Sequence, residues 1–398
     1  MELSKRAVDV QASPIRKLMP YATAAKAKGI KIYHLNIGQP DVETPEAILN
    51  VYRNYSEKVL AYGPSQGLDE YRKSLVKYYR ELGIIICDDD INVTTAGSEA
   101  LLFAMMLVCD HGDEIVVPEP FYTNYNSFAT MAGVNLVTIT TFAETGFALP
   151  SREIIENSIS KKTKAILVCN PGNPTGTVYT RKEMEMLGEI AKNHNLFLIS
   201  DEVYREFVYE GEKCTSVLEL SGCEDLAIMC DSISKRYSAC GARIGCIVSR
   251  NKEVMAAALK FAQARLCPPT IDQMAASACI ELPENYFEEM QKEYNKRRNI
   301  VYEALIKING VVCVKPRGAF YIIAKLPIKN AEDFIIWLLE DYQVNNETIM
   351  MAPAEGFYAT PGLGKNELRI AYILNVDDLE KAMNIFVTGL ETFMKLES

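Results

Sequence analysis

The sequence predicts an α/β fold, in which a mostly parallel seven-stranded sheet is covered by helices on both faces and a smaller α+β domain lies beside it. Between about residues 90 and 250, short β-branched runs alternate with longer helical patterns, and beyond residue 285 the order of elements changes. Strands that alternate with helices form parallel sheets, because each helix returns the chain across one face. The 398 residues also exceed one ordinary core, which favours two domains.

Seven apolar, β-branched runs supply the strands of the predicted sheet. They are Ile91–Thr94, Ile115–Pro118, Val134–Ile139, Ala165–Cys169, Leu196–Ser200, Ala227–Asp231 and Gly245–Ser249. The helical patterns between them include Glu99–Cys109, Thr180–His194 and Lys252–Ala264. In such sheets, ligands bind outside the carboxyl ends of the strands, so we expect the functional residues directly after these runs.

The remaining segments predict a small domain and an N-terminal arm. A long charged helix, Asn285–Lys307, is followed by shorter elements. The predicted strands are Val311–Val314, Ala319–Ala324, Ile349–Ala352 and Leu368–Tyr372, and the helices are Ala331–Glu340 and Val376–Lys395. The predicted division is therefore an arm (1–13), a small domain (14–45 and 285–398) and a large ligand-binding domain (46–284). We expect the arm to pack on a partner subunit.

The composition is that of a globular protein, with 48% hydrophobic and 24% charged residues. No apolar run approaches the roughly 18 residues that span a bilayer, and the first residues lack the apolar stretch of a signal peptide, so we expect a cytoplasmic location. The formal charge of −10 disfavours nucleic acid and anionic membranes as partners. The 11 cysteines include no CxxC pair and the 3 histidines are scattered, which predicts neither disulfides nor a metal site.

Lys235 follows the sixth predicted strand, within Asp231-Ser232-Ile233-Ser234-Lys235, and Gly241-Ala242-Arg243-Ile244-Gly245 comes shortly after it. An amine, hydroxyls and a guanidinium therefore meet at the mouth of the sheet. A phosphate-bearing aldehyde would use all of them, because the amine bonds to the aldehyde while Ser232 and Arg243 bind the phosphate. A lysine in a polar loop is usually only a surface residue, so this inference depends on the other motifs.

Three further turns follow strands of the predicted sheet. The segment Thr94-Thr95-Ala96-Gly97-Ser98-Glu99-Ala100 brings backbone N–H groups and the Ser98 hydroxyl to the start of a helix, where the dipole favours an anion. The segment Asn170-Pro171-Gly172-Asn173-Pro174-Thr175-Gly176 fixes the backbone path and directs Asn173 toward the mouth. In Asp201-Glu202-Val203-Tyr204, the first carboxylate either faces a ligand or caps a helix.

Together these motifs resemble the class I aminotransferases, the aspartate aminotransferase family of pyridoxal-phosphate enzymes, along nearly the whole chain. The matching segments are Asn36-Ile37-Gly38-Gln39-Pro40-Asp41, Tyr62-Gly63, Ala96-Gly97-Ser98, Pro120-Phe121-Tyr122, Asn173-Pro174-Thr175-Gly176, Asp201-Glu202-Val203-Tyr204, Ser232-Ile233-Ser234-Lys235, Gly241-Ala242-Arg243-Ile244-Gly245 and Leu368-Arg369-Ile370-Ala371-Tyr372. The resemblance implies the fold of type I pyridoxal-phosphate enzymes, pyridoxal 5'-phosphate as cofactor, amino acid and 2-oxo acid substrates, and a homodimer with shared active sites.

The resemblance also implies roles for individual residues. Lys235, Asp201 and Tyr204 match catalytic residues: the lysine holds the cofactor covalently and carries a proton, and the aspartate pairs with the ring nitrogen. The implied cofactor site comprises Ala96, Gly97, Ser98, Tyr122, Asn173, Asp201, Tyr204, Ser232, Ser234, Lys235 and Arg243. Tyr62 of the partner subunit is expected to complete it.

The implied substrate site contains Arg369, which clamps the α-carboxylate with help from Asn173 and Gly38. A dicarboxylic substrate needs a second cation, because burying an unpaired charge is costly, and Arg16 and Arg265 are the two candidates. Strings such as SPIRKL, NIGQPD and MAPAEGFY resemble a bacterial branch of aspartate aminotransferases, which favours L-aspartate with 2-oxoglutarate.

Other functions of the same fold stay open as alternatives. An aromatic or broad-specificity aminotransferase would share every cofactor residue, and a β-lyase or an amino-cyclopropane-carboxylate synthase would keep the lysine and the aspartate. A ligand-sensing transcriptional regulator would carry an added helix-turn-helix domain, and with only a dozen residues before Ser13 we expect this function least.

Overall fold

The computed structural model of this chain describes residues 1–397. Within them, the α-helices are α1 (Lys5–Asp9), α2 (Met19–Ala27), α3 (Glu46–Asn54), α4 (Asp69–Glu81), α5 (Ala96–Val108), α6 (Asn124–Ala132), α7 (Arg152–Asn157), α8 (Arg181–Asn193), α9 (Ile233–Arg236), α10 (Lys252–Arg265), α11 (Thr270–Ser277), α12 (Tyr286–Leu305), α13 (Ala331–Glu340) and α14 (Val376–Glu397). The strands are β1 (Lys31–His34), β2 (Ile91–Thr95), β3 (Glu114–Glu119), β4 (Asn135–Thr140), β5 (Thr163–Cys169), β6 (Phe197–Asp201), β7 (Ala227–Ser232), β8 (Ile244–Val248), β9 (Tyr321–Lys325), β10 (Glu347–Met350), β11 (Ala352–Pro353) and β12 (Glu367–Ala371).

The large sheet has seven strands in the order β2-β8-β7-β6-β5-β3-β4. Only β8 runs antiparallel to its neighbours β2 and β7, and the other strand pairs are parallel. This confirms the predicted fold class. Each of the seven predicted runs forms a strand, and the strand ends differ from the predicted ones by at most two residues.

Helices cover both faces of this sheet, as alternate residues of β5 illustrate. Ala165 and Leu167 pack into the cluster formed with α5, α6 and α10, whereas Ile166 and Val168 pack into the opposite cluster with α4 and α8. A strand that is buried on both faces has no polar side to alternate with, which explains the continuous apolar runs in the sequence.

Two smaller sheets lie in a second hydrophobic core. Strands β11, β12 and β9 form an antiparallel sheet, and β1 pairs with β10 in parallel. Helices α2, α12, α13 and α14 supply most of the other side chains of this core. The structure thereby brings segments from both ends of the chain together, and Arg369 of β12 and the loop after β1 reach the large sheet from this side.

One predicted strand is wrong, and another is divided. Val311–Val314 forms only an isolated bridge, in which Val312 pairs with Lys325. Gly310 and Pro316 lie close on either side of this run, and both residue types weaken strand pairing. The predicted strand Ile349–Ala352 corresponds to the end of β10 and the start of β11. Strand β1 had no sequence prediction.

The N-terminal arm is mostly exposed. Helix α1 contains no buried residue, and Gln11 makes the contact with α6, where its side-chain oxygen accepts a hydrogen bond from Asn126 at 3.1 Å. The packing of the arm on a partner subunit stays a prediction. Between residues 1 and 397, no helix is both long and apolar enough to cross a membrane.

Candidate active site

A cavity of about 470 Å³ opens at the carboxyl edge of the large sheet. This volume lies in the range of sites that hold small molecules. Every site residue predicted from the sequence lines the cavity, except Tyr62 and Arg265. The topology explains this convergence, because β5, β6 and β7 are parallel neighbours and their carboxyl ends deliver three polar turns to one edge.

Lys235 lies in the short helix α9, directly after β7. Its Nζ donates a hydrogen bond to the carbonyl oxygen of Gly38 at 2.8 Å and lies 3.8 Å from Cys240 Sγ. Burial lowers the pKa of the Lys235 amine, and the positive charges of Arg369 and Arg243 lower it further. A buried amine with a lowered pKa is suited both to attack a carbonyl carbon and to exchange a proton.

Asp201 ends β6 and is fully enclosed in the cavity floor. The Tyr125 hydroxyl donates to its Oδ2 at 2.7 Å, and the Val203 N–H donates weakly to Oδ1 at 3.5 Å. Burial nevertheless raises the pKa of the Asp201 carboxyl to about 6. A cationic group next to this carboxylate would remove that penalty, which is what a protonated ring nitrogen provides.

Tyr204 and Asn173 connect the floor of the cavity to Arg369. The Tyr204 hydroxyl is 2.9 Å from the Tyr321 hydroxyl and accepts a longer bond from Asn173 Nδ2 at 3.4 Å. Asn173 Oδ1 in turn accepts from Arg369 Nη1 at 3.0 Å. One amide therefore orients both a phenol and a guanidinium.

Arg369 is buried and has no carboxylate partner among residues 1–397. Its Nη2 donates to the carbonyl oxygen of Asn36 at 2.5 Å, and its Nε is a buried donor without a partner in this part of the chain. Burial lowers the pKa of the guanidinium. A bound carboxylate would both satisfy the donor and offset the buried charge, so this residue suits an anionic substrate group.

The opposite end of the cavity carries hydrogen-bond donors for a phosphate. The first turn of α5 presents N–H groups that have no partner within the helix, and the Ser98 side chain makes no hydrogen bond within residues 1–397. Arg243 is exposed and uses Nη1 only for the carbonyl oxygen of Cys240, at 3.0 Å. The Ser232 hydroxyl is committed to the carbonyl oxygen of Ile244 at 2.8 Å, so Ser234 carries the freer hydroxyl of this pair.

Close backbone approach holds these parts together. A Cβ on Gly245 would lie 2.5 Å from the carbonyl carbon of Ala96 and 2.7 Å from the nitrogen of Gly97. A Cβ on Gly38 would lie 1.7 Å from the Tyr321 hydroxyl oxygen. Glycine is therefore required where β8 meets the start of α5, and where the loop after β1 crosses the cavity.

Two predicted residues lie outside the cavity. Tyr62 is 82% exposed on the surface of this chain. Arg265 ends α10, where its Nη2 donates to the carbonyl oxygens of Ser65 and Val93 and its Nη1 lies 3.7 Å from Glu99. Arg265 therefore links α10 to β2 and to the loop before α4 in this structure.

Arg16 does reach the cavity. It ends a short 3₁₀ turn, Pro14–Arg16, and its side chain makes no ion pair or hydrogen bond with any other described residue. An exposed arginine without a partner at the mouth of a cavity is free to bind an anionic ligand.

Sequence reasoning missed several residues that line or support the cavity. Tyr125 binds Asp201, Tyr321 lies between Tyr204 and Arg369, and Cys240 lies beside Lys235. Tyr125 lies in α6, and its backbone N–H donates to the carbonyl oxygen of Tyr122, which precedes the helix, at 2.9 Å. Tyr321 begins an apolar strand and looks like an ordinary core residue in the sequence.

The cavity fits pyridoxal 5'-phosphate by its donor set. Lys235 would bind the aldehyde, Asp201 the ring nitrogen and Tyr204 the ring oxygen, and the start of α5 with Arg243 would bind the phosphate. The Tyr122 ring, which lies edge-on to Tyr125 at 5.6 Å, would cover one face of the cofactor. When bound, this cofactor withdraws electrons from the Cα of an attached amino acid and so acidifies its proton.

The protein's own groups then determine the reaction. Arg369 and Asn173 would hold the α-carboxylate and so fix the orientation of Cα. The Lys235 amine, whose pKa is lowered by burial, would take the proton from the substrate Cα and return it at a second carbon atom. An amino group can thus leave one carbon skeleton and enter another.

Comparison with known proteins finds one family along almost the whole chain. The family model described as aminotransferase class I and II matches residues 30–386. An aspartate aminotransferase of Bacillus subtilis (strain 168) is 32% identical over 394 residues, which cover 96% of this chain and 97% of that protein. The aromatic-amino-acid aminotransferase 2 of Thermococcus litoralis is 30% identical over 392 residues, covering 96% and 97%. The solved alanine aminotransferase of Pyrococcus furiosus matches with a TM-score of 0.89 at 34% identity, covering 98% of this chain and 100% of that one.

Proposed function

This chain belongs to the class I and II aminotransferases, which are pyridoxal-phosphate enzymes, and on that basis we propose that it exchanges the amino group between L-aspartate and 2-oxoglutarate. The products would be oxaloacetate and L-glutamate. The amino acid and the oxo acid would use the same cavity in alternation, because one amino group is handed over in each half of the cycle. Lys235, Asp201 and Tyr204 are the proposed catalytic residues.

The observation that carries the choice of aspartate is the free side chain of Arg16. Both substrates are dicarboxylic acids, so each needs a cation at either end. Arg369 and Arg16 line one cavity and neither has an acidic partner among residues 1–397, whereas Arg265 is bound to backbone carbonyls elsewhere. We therefore favour Arg16 as the cation for the distal carboxylate and give Arg265 a structural role.

Replacement of Arg16 by glutamine tests this assignment. Loss of one charge-assisted contact of about 2 to 3 kcal/mol corresponds to a ~30- to 150-fold fall in kcat/KM for aspartate. The value for alanine, which has no distal carboxylate, should change less than about threefold in the same variant. Lys17→Gln is the matched control, because Lys17 is next in sequence but pairs with Glu332 outside the cavity. An equal fall for aspartate and alanine in R16Q would remove the support for this role.

A second candidate is an aromatic or broad-specificity aminotransferase. Met19, Ile37 and Leu101 also line the cavity, and they offer apolar contacts to a large side chain. A panel of aspartate, phenylalanine and cystathionine separates these functions by their products. Oxaloacetate supports the proposal, phenylpyruvate formed at a higher rate supports the aromatic function, and pyruvate with ammonia indicates a β-lyase.

We also propose a homodimer in which Tyr62 of each subunit completes the other subunit's phosphate site. Tyr62 is highly exposed together with Val59 and Leu60, an apolar strip that suits a subunit interface. Mixing Tyr62→Ala and Lys235→Ala subunits tests this, since a hybrid dimer contains one intact site and an equal mixture should regain about one quarter of wild-type activity. An inactive mixture of verified hybrids contradicts shared sites. The cytoplasmic location stays a prediction.

A further inference from the structure

Tyr321 occupies a position in the cavity to which the resemblance gave no role. It begins β9, is 2% exposed, and its hydroxyl lies 2.9 Å from the hydroxyl of Tyr204. The side chain therefore touches the residue that is proposed to bind the ring oxygen of the cofactor.

The ring of Tyr321 also supports the substrate end of the cavity. The Arg369 guanidinium carbon lies 4.5 Å from the centre of this ring, which is the geometry of a cation–π contact. On another side, Gly38 leaves just enough space for the Tyr321 hydroxyl, because a Cβ there would come within 1.7 Å of it. Tyr321 is thus fixed between Tyr204, Arg369 and the Gly38 loop, whose carbonyl oxygen accepts a hydrogen bond from the Lys235 amine.

The number of hydroxyl protons determines which tyrosine donates the hydrogen bond between Tyr204 and Tyr321. Each hydroxyl has one proton, and Tyr204 has to give its own to the ring oxygen if it is to bind the cofactor. The short bond to Tyr321 then exists only if Tyr321 is its donor. Burial raises the pKa of both hydroxyls, that of Tyr321 to about 12 and that of Tyr204 well above its ordinary value. The positive charge of Arg369 over the Tyr321 ring opposes this rise at Tyr321. Tyr321 is therefore favoured as the donor of the bond.

We propose that Tyr321 is a positioning residue whose hydroxyl donates a hydrogen bond to Tyr204. Because its ring also stacks on Arg369, Tyr321 links the carboxylate site to the residue that binds the cofactor oxygen. The inference rests on the proposed roles of Tyr204 and Arg369. A hydrogen bond received by Tyr204 makes its own hydroxyl a stronger donor, since bonds in a chain polarise one another. Tyr321 thereby helps to stabilise the negative ring oxygen and to lower the pKa of the linkage between Lys235 and the cofactor.

The decisive experiment is a pH titration of the visible absorption of the holoenzyme without substrate. In Tyr321→Phe the ring stays and only the donor is lost, so the apparent pKa of the Lys235–cofactor linkage should rise by about 0.5 unit. The KM for amino acids should remain close to the wild-type value. In Tyr321→Leu the stack is lost as well, so the same pKa rise should come with a ~3- to 10-fold increase in KM.

Two further variants make the outcome specific. Tyr294→Phe is the matched control, because Tyr294 is buried against Phe320 and its hydroxyl has no partner among the described residues, so no shift is expected. Tyr204→Phe should shift the linkage pKa more than Tyr321→Phe does. If only Tyr204→Phe shifts it, the donor role of Tyr321 is refuted while that of Tyr204 stands. If neither variant shifts it, the proposed role of Tyr204 fails, and the inference fails with it.

Discussion

Replacement of Asp201 by asparagine should stabilise the apoenzyme at neutral pH while it abolishes transamination. Burial raises the pKa of this carboxyl from its ordinary 3.8 to about 6. Because the folded-state pKa is the higher one, the neutral form stabilises the fold below about pH 4, and this contribution is lost as the pH rises through 6. A shift of about 2 units corresponds to about 3 kcal/mol, which the wild-type apoenzyme lacks at pH 8 and the variant keeps.

Urea unfolding of both apoenzymes at fixed protomer concentration measures the effect between pH 5 and pH 8. The advantage of Asp201→Asn should be about 3 kcal/mol at pH 8 and about half of that at pH 5. The pH dependence is the informative quantity, because the amide has one acceptor oxygen where the carboxylate uses two, for the Tyr125 hydroxyl and the Val203 N–H, and the loss of one acceptor changes stability equally at every pH. With cofactor bound the order should reverse, since the Asp201 carboxylate then pairs with a cationic ring nitrogen.

Asp90→Asn is the control with the opposite sign. Hydrogen bonds from the Cys87 backbone and from Lys252 outweigh burial and lower the pKa of the Asp90 carboxyl. Its contribution is present at neutral pH and is lost as the pH falls through the lowered pKa, so this variant should be less stable than wild type at pH 8, with a difference that shrinks toward acid pH. If the stabilities of wild type and Asp201→Asn run parallel across the pH range, burial of the Asp201 charge does not destabilise the apoenzyme and the reasoning fails.

Three other substitutions have defined outcomes. Lys235→Ala should keep cofactor binding, followed by absorbance, but lose ~10²- to 10⁴-fold or more in turnover, and a steady-state rate near wild type contradicts its role. Arg369→Lys replaces a forked donor by a point charge, so KM for both substrates should rise ~30- to 150-fold with an unchanged cofactor spectrum; an unchanged KM excludes the clamp. Gly38→Ala should cost about 1 to 3 kcal/mol in urea unfolding, because its Cβ meets the Tyr321 hydroxyl, and the same substitution should cost less when it is made in a Tyr321→Ala background.

The large sheet was predictable because the residue pattern that each of its strands requires lies within a short stretch of sequence. A parallel strand that is buried on both faces needs an unbroken apolar run, and the turn that follows needs small or polar residues. The residues of a strand and of the site at its end are therefore adjacent in the sequence. The region of the two smaller sheets lacks that property. Val311–Val314 is as apolar as a strand, yet only Val312 finds a ladder partner, and the pairing of β1 with β10 joins segments more than three hundred residues apart.

The site was predictable where a motif contains the chemistry and unpredictable where packing decides it. Asp201 ends β6 and Lys235 comes three residues after β7, so their chemistry and their location both follow from a short stretch of sequence. The sequence does not distinguish the roles of Arg16 and Arg265. In the structure, Arg16 lines the cavity, whereas Arg265 donates hydrogen bonds to backbone carbonyl oxygens outside it. Tyr321 is hidden for a related reason, since a tyrosine in an apolar strand becomes functional only through what lies opposite its hydroxyl.

The charges of the cavity explain why the same residues cost stability and provide binding. The lining contains four cationic side chains, Arg16, Lys235, Arg243 and Arg369, but one carboxylate, Asp201, in a chain whose formal charge is −10. A phosphate and one or two carboxylates would neutralise this excess, and a cationic ring nitrogen would neutralise the aspartate. Burial makes the charges of Asp201 and Arg369 costly while they are unpaired, and the same burial strengthens each pair that a ligand forms with them. We therefore expect selectivity for anionic ligands in this acidic protein to come from the local cavity and not from the overall field.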